Sequence, residues 1–182
     1  EDMVIQGRGS QTFIGCEWSE ILHMQYRKHR VPLVKRRHCR GVTERVDLFG
    51  ADVIPLYEHE VRQATAELLD DGIEALTIVF LNSFANPSHE RRAAEIVREI
   101  MKEKGREIPL LLSSEIAPIV REVSRANATI IQAYAAEPAR KQLFGVEEKL
   151  TGYGYPHSLK TVLCYGGVTN IPVFDDQPVQ AI

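Results

Sequence analysis

The stretch that most limits what this chain can fold into runs from Glu74 to Arg92. It is an apolar run, Ala75–Leu81, then a polar elbow, Asn82–Asn86, then a helix start at Pro87. A short run of this kind, not alternating with polar residues, is the pattern of a strand covered on both faces, as in a parallel sheet. Polar groups held at the carboxyl end of such a strand stand where open α/β folds bind their ligands. Asn82, Ser83, Asn86, His89 and Glu90 are therefore the first candidate cluster. His89 and Glu90 carry side chains suited to acid–base work. Their place in a first helical turn also suits capping without chemistry.

The flanking segments extend the same pattern. Val42, Glu44, Val46 and Leu48 alternate with Thr43, Arg45 and Asp47, and Phe49–Asp52 supply a turn, which predicts a β-hairpin over 42–56. Val61, Ala64, Leu68 and Leu69 recur at helical spacing, so a helix is expected over Tyr57–Asp71, ended by Gly72. A second helix is expected from Pro87 to Lys104, with Asn86 as its N-cap, Glu90 near the capping-box position and Ala93, Ile96, Val97, Ile100 and Met101 inward. Ile108–Leu112 reads as a second buried strand and Ser113–Ile116 as a cap or bend. Arg121–Asn127 reads as a polar turn. A long helix then opens at Asn127 or Ala128 with Ile130, Ile131 and Tyr134 inward, and Pro138 should kink or restart it. Leu143, Val146 and Leu150 continue the apolar face, and Ser158–Tyr165 forms a third strand ending in Gly166-Gly167.

Two further clusters follow from this layout. Ser113, Ser114 and Glu115 precede Arg121, Glu122 and Arg125, where the two arginines form either an anion clamp or a salt-bridge brace. Gly166, Gly167 and Thr169 follow a buried strand, where glycines let the backbone approach a phosphate but equally make a simple turn.

Composition excludes some classes. The net charge is −3 and the sequence pI is about 6.1, which argues against broad binding to nucleic acid or anionic membranes. No apolar run approaches the ~20 residues that span a bilayer. Cys16, Cys39 and Cys164 are odd in number and far apart, with no CxxC pair, so no metal site is expected. Residues 1–41 read as an irregular basic segment. It holds a weak glycine cradle at Gly7–Ser10, a short helix at Glu17–Tyr26 and histidines among arginines and lysines.

Four stretches in order resemble the hydantoinase A/oxoprolinase family: GVTERVD (41–47), LNSFANPSHERR (81–92), LSSEIAPIVREVSRANATIIQAY (112–134) and CYGGVTN (164–170). That family includes ATP-dependent hydantoinases, 5-oxoprolinase and the β subunits of acetone and acetophenone carboxylases. The wording around FLNSFANPSHE and CYGG is most similar to the acetone carboxylase branch. The resemblance implies an α/β fold of the actin-like ATPase type, the ribonuclease H-like fold of sugar kinases and Hsp70. Residues 42–170 would be a partial domain of that kind, and 171–182 an unassigned tail.

By the same resemblance, Gly166-Gly167 would be the second phosphate loop for ATP and Mg2+, with Thr169 beside it and Arg121 and Arg125 as further contacts. The family's Asp-x-Gly-Gly-Thr loop would lie upstream of Glu1, and Cys164-Tyr165 departs from the family's usual Ser-Asn or Ser-Asp. The implied activity is that of a cytoplasmic ketone carboxylase subunit, joining acetone and bicarbonate into acetoacetate through phosphorylated intermediates. A carboxylation metal such as Mn2+ would sit in a partner subunit. Two alternatives stay open: a hydantoinase or 5-oxoprolinase opening a cyclic amide, and an inactive scaffold or docking domain. On the first two readings the 182 residues alone are expected to be inactive.

Overall fold

The structure, a computed structural model, describes His23, Gln25, residues 33–162 (the side chains of 135–140 apart) and 166–170. The Gly7–Ser10 cradle, most of the Glu17–Tyr26 helix, Leu163–Tyr165 and the tail from residue 171 lie outside the described residues. Two compact units divide at Ile130/Ile131.

In the first unit, a 3-10 turn at Arg36–His38 precedes the hairpin β1 (Arg45–Val46) and β2 (Asp52–Ile54). There follow α1 (Glu58–Asp70), β3 (Leu76–Ile78), α2 (Ser88–Glu103), β4 (Leu110–Leu112) and the short α3 (Ser113–Ile116). α4 (Glu122–Gly152) starts in this unit and runs into the second, where β5 (Lys160–Val162) and β6 (Val168–Asn170) pair antiparallel.

β3 and β4 are parallel, with Leu76, Thr77 and Ile78 opposite Leu110, Leu111 and Leu112. The crossover between them is α2, as a βαβ unit requires. The expected apolar run is buried on both faces. Leu76, Ile78 and Phe80 join the core, and Val79 on the other face is only 2% exposed. α1 contributes Val61, Ala64, Leu68 and Leu69 to this core. α2 contributes Ala93, Ile96, Val97, Ile100 and Met101, the stripe read from periodicity. Gly72 (φ +76) and Gly105 (φ +61) close the two helices in the left-handed region.

The hairpin is shorter than expected. Asp47 Oδ1 accepts the backbone N–H groups of Phe49 and Ala51, both at 2.8 Å, so the turn closes one residue pair early. Leu48, read as part of the first strand, lies beyond its end and is 60% exposed. The hairpin is tied to the elbow after β3. Asn82 Nδ2 donates to Val46 O and Asn86 Nδ2 to Gly50 O, each at 2.9 Å. Gly50 has φ +87, and a Cβ there would lie 3.4 Å from Ala85 O. Gly50→Val is therefore expected to destabilise the fold by roughly 1–2 kcal/mol, the cost of a left-handed L-residue. Urea unfolding checks this; an unchanged midpoint would show that the elbow gives way freely.

α4 departs most from expectation. It begins at Glu122, not at Asn127, and it continues as one helix past Pro138 to Gly152. Residues 122–127 of the polar run are helical, with Arg125 turned inward and Val123 and Ser124 exposed. Tyr134, expected inward, is 70% exposed, and Val146 is 42% exposed. No helix among the described residues is long and apolar enough to cross a membrane.

Candidate functional site

In the first unit the candidate side chains gather at the carboxyl end of β3, but they split into two groups. Glu90 does not cap its own helix. Asn86 Oδ1 takes the Ser88 N–H at 3.0 Å, with Pro87 as the N-cap residue. Glu90 is fully buried instead, and its carboxylate accepts Phe80 N–H (3.0 Å), Ser114 N–H (2.9 Å) and Ser113 Oγ–H (2.5 Å). Arg125, also fully buried, closes the same network. Nη2 donates to Phe80 O (2.6 Å), Nε to Ser113 Oγ (3.0 Å) and Nη1 to Ile119 O (3.0 Å). Its guanidinium also lies 5.9 Å from the Phe84 ring centroid.

Burial holds the Arg125 guanidinium below its ordinary pKa, opposed by the charges of Glu90 and Glu122. Together Glu90 and Arg125 grip the N–H and C=O of Phe80, where the β3 ladder has ended and α3 and α4 begin. In this arrangement both charges are used internally, as a brace. Arg121 is exposed, with φ +81, and its carbonyl accepts the Arg125 N–H at 3.1 Å.

The second group is His89. Its Nδ1 lies 2.9 Å from Glu44 Oε2, and both residues are buried, at 8% and 3% exposure. Its Nε2 lies 3.6 Å from Asp52 Oδ1 on β2. In the sequence Glu44 alternates in step with Val42 and Val46, on the apolar side of its strand. A carboxylate between Val42 and Val46 on a buried face needs a partner, and that was the available signal.

In the second unit, Gly166 and Gly167 lie in the connection between β5 and β6, with φ +88 and +98. Both are exposed, and a Cβ on either would meet nothing within 4 Å. Thr169 sits on β6 opposite Thr161. No group of three or more His, Cys, Asp or Glu among the described residues could hold a metal ion. A separate depression in the first unit is lined by Arg98, Lys102, Arg106, Met101 and Ile108, and none of the candidate residues lines it.

Residues 3–101, more than half of the chain, match the family model of the hydantoinase/oxoprolinase N-terminal region. The chain belongs to the hydantoinase/oxoprolinase family. Over 167 residues this family member is 35% identical to the acetone carboxylase beta subunit of Xanthobacter autotrophicus, covering 92% of the chain and 23% of that relative. It is 31% identical over 172 residues to the acetophenone carboxylase gamma subunit of Aromatoleum aromaticum, covering 94% and 24%. The similar acetophenone carboxylase subunit is thus a gamma subunit, where a β subunit was expected.

The nucleotide-free structure of acetone carboxylase superposes with a TM-score of 0.81 at 33% identity, over 97% of this chain and 24% of that one. The ATP-dependent caprolactamase of Pseudomonas jessenii superposes with a TM-score of 0.66 at 20% identity, over 89% and 25%, and so shares the fold. The chain spans about a quarter of the length of these relatives.

Proposed function

We propose that the chain is part of a subunit of a cytoplasmic ATP-dependent ketone carboxylase working with partner subunits, and that it contributes one side of an actin-like nucleotide site. The observation that carries this reading is the 35% identity to an acetone carboxylase subunit across 92% of the chain. The structural agreement with acetone carboxylase over 97% of the chain supports it.

On this reading Gly166 and Gly167 meet the ATP phosphates. Gly166 and Gly167 are two successive exposed glycines with positive φ, and neither carries a side chain that would keep an anion from the backbone. Thr169 follows on β6 as a nearby hydroxyl. ATP brings Mg2+, which binds largely through phosphate oxygens and water and so needs no cage of protein carboxylates. A carboxylation metal such as Mn2+ belongs to a partner subunit. Arg121, exposed, stays a candidate for an anion, whereas Arg125 supports the strand end from within. Taken alone, the 182 residues bind Mg-ATP no tighter than about millimolar, because the greater part of the site lies in the remaining three-quarters of such a subunit.

A second reading, opening of a cyclic amide, is favoured by the 25% identity to the caprolactamase alpha subunit and the shared fold. Substrate-dependent ATP hydrolysis by the full-length protein with its partner subunits separates the two. Stimulation by acetone or acetophenone is the expected result. Stimulation by a hydantoin, 5-oxoproline or caprolactam, with none by ketones, would replace the carboxylase reading.

A further inference from the structure

The Glu44–His89 pair is more than a fastening between the hairpin and α2. The hairpin is already tied by two amide side chains, Asn82 to Val46 O and Asn86 to Gly50 O. Those bonds satisfy backbone carbonyls without burying charge. Adding a carboxylate at 3% exposure beside an imidazole is a costly way to strengthen such a tie. The pair has a different merit. Nδ1 lies 2.9 Å from Glu44 Oε2, and in the neutral ring a carboxylate there holds the proton on Nδ1 and leaves Nε2 with its lone pair. Nε2 points toward the rim of β2, where Asp52 Oδ1 at 3.6 Å is beyond hydrogen-bond reach and the Asp52 side chain is 54% exposed. Asp52 is steadied by Asn86 Nδ2 at 3.3 Å. A buried carboxylate behind one ring nitrogen and an open second nitrogen is the arrangement that orients a histidine for proton transfer. It stands just past the carboxyl end of β3, the ligand side of a parallel sheet.

We propose that His89 is a proton-transfer residue oriented by Glu44, acting at Nε2 on the carbon next to a ketone carbonyl. This rests on the ketone reading of the function. In the step, the C–H bond breaks, the proton passes to Nε2, and the electron pair remains as the enolate. Return of the proton restores the ketone, so no co-reactant is consumed. Among the described residues, Glu44 and Asp52 are the carboxylates beside the ring, at 2.9 Å from Nδ1 and 3.6 Å from Nε2.

The test is deuterium incorporation into acetone in D2O, followed by NMR, with the full-length protein and its partner subunits. His89→Asn keeps a side-chain N–H donor near the Nδ1 position and lacks Nε2. It is expected to slow exchange at least ~100-fold, the lower range for general acid–base catalysis, with Mg-ATP affinity unchanged. Glu44→Gln keeps a hydrogen-bonding side chain without the charge and is expected to slow exchange about tenfold, the smaller loss of a positioning residue. Exchange within threefold of wild type in either folded variant overturns the proposal and leaves the ketone reading standing. A wild-type protein that turns over a cyclic amide with ATP but exchanges no ketone protons overturns both.

Discussion

Glu90→Ala is expected to destabilise the protein by about 3–5 kcal/mol, the usual cost of breaking a buried charge network by removing one partner. Its carboxylate accepts two backbone N–H groups and one hydroxyl, all in the interior. Alanine would leave those donors unpaired and strand the buried Arg125 guanidinium without its nearest countercharge. Against a total stability of about 5–15 kcal/mol this is a large fraction. Chemical unfolding of the variant measures it. A double-mutant cycle with Arg125→Met adds a sharper test. Residues in one network are not additive, so the double variant should lose at least ~1 kcal/mol less than the sum of the two single losses. Additive losses would mean that Glu90 and Arg125 hold Phe80 independently.

Phe80→Ala is the second large effect, at about 3–5 kcal/mol. Phe80 is 2% exposed and packs in the core with α1 and α2. Its backbone is held at both ends by side chains of other residues, so the strand end keeps its course and the loss is that of a cavity. The dependence of unfolding free energy on urea should keep its slope while the midpoint falls. A loss under ~1 kcal/mol would mean that the surrounding helices collapse into the space.

Much of this architecture could be read from the residues because local signals and tertiary packing agree. The inward stripe of α2 followed from 3.6-residue periodicity, and Gly72 and Gly105 marked the helix ends. β3 and β4 followed from short apolar runs on either side of a helix. The misread polar residues share one physical cause: a polar side chain whose partner is distant in sequence looks, locally, as if it faces water. Arg121–Asn127 read as a turn because it is dense in charge, yet Arg125 points inward, satisfied by carbonyls at Phe80 and Ile119. Glu90 read as a helix cap, yet it reaches across to Ser113 and Ser114, partners 23 and 24 residues away. Glu44 lies on the buried face of its strand, but its pairing with His89 spans 45 residues, and no local rule reports such a distance. The glycine turn at 166–167 was legible because left-handed backbone is something glycine announces by itself.

The claim at the centre of this account is that Gly166 and Gly167 face ATP phosphate. It is tested most directly by Mg-ATP calorimetry on the full-length protein, comparing wild type with Gly167→Val. A side chain at position 167 meets open space in this unit, so it would obstruct a phosphate rather than the fold. The account predicts an affinity at least tenfold weaker, ~1.4 kcal/mol, with unfolding shifted by no more than the ~1–2 kcal/mol cost of a left-handed valine. Equal affinity for the two proteins, or no measurable binding by wild type, would contradict it.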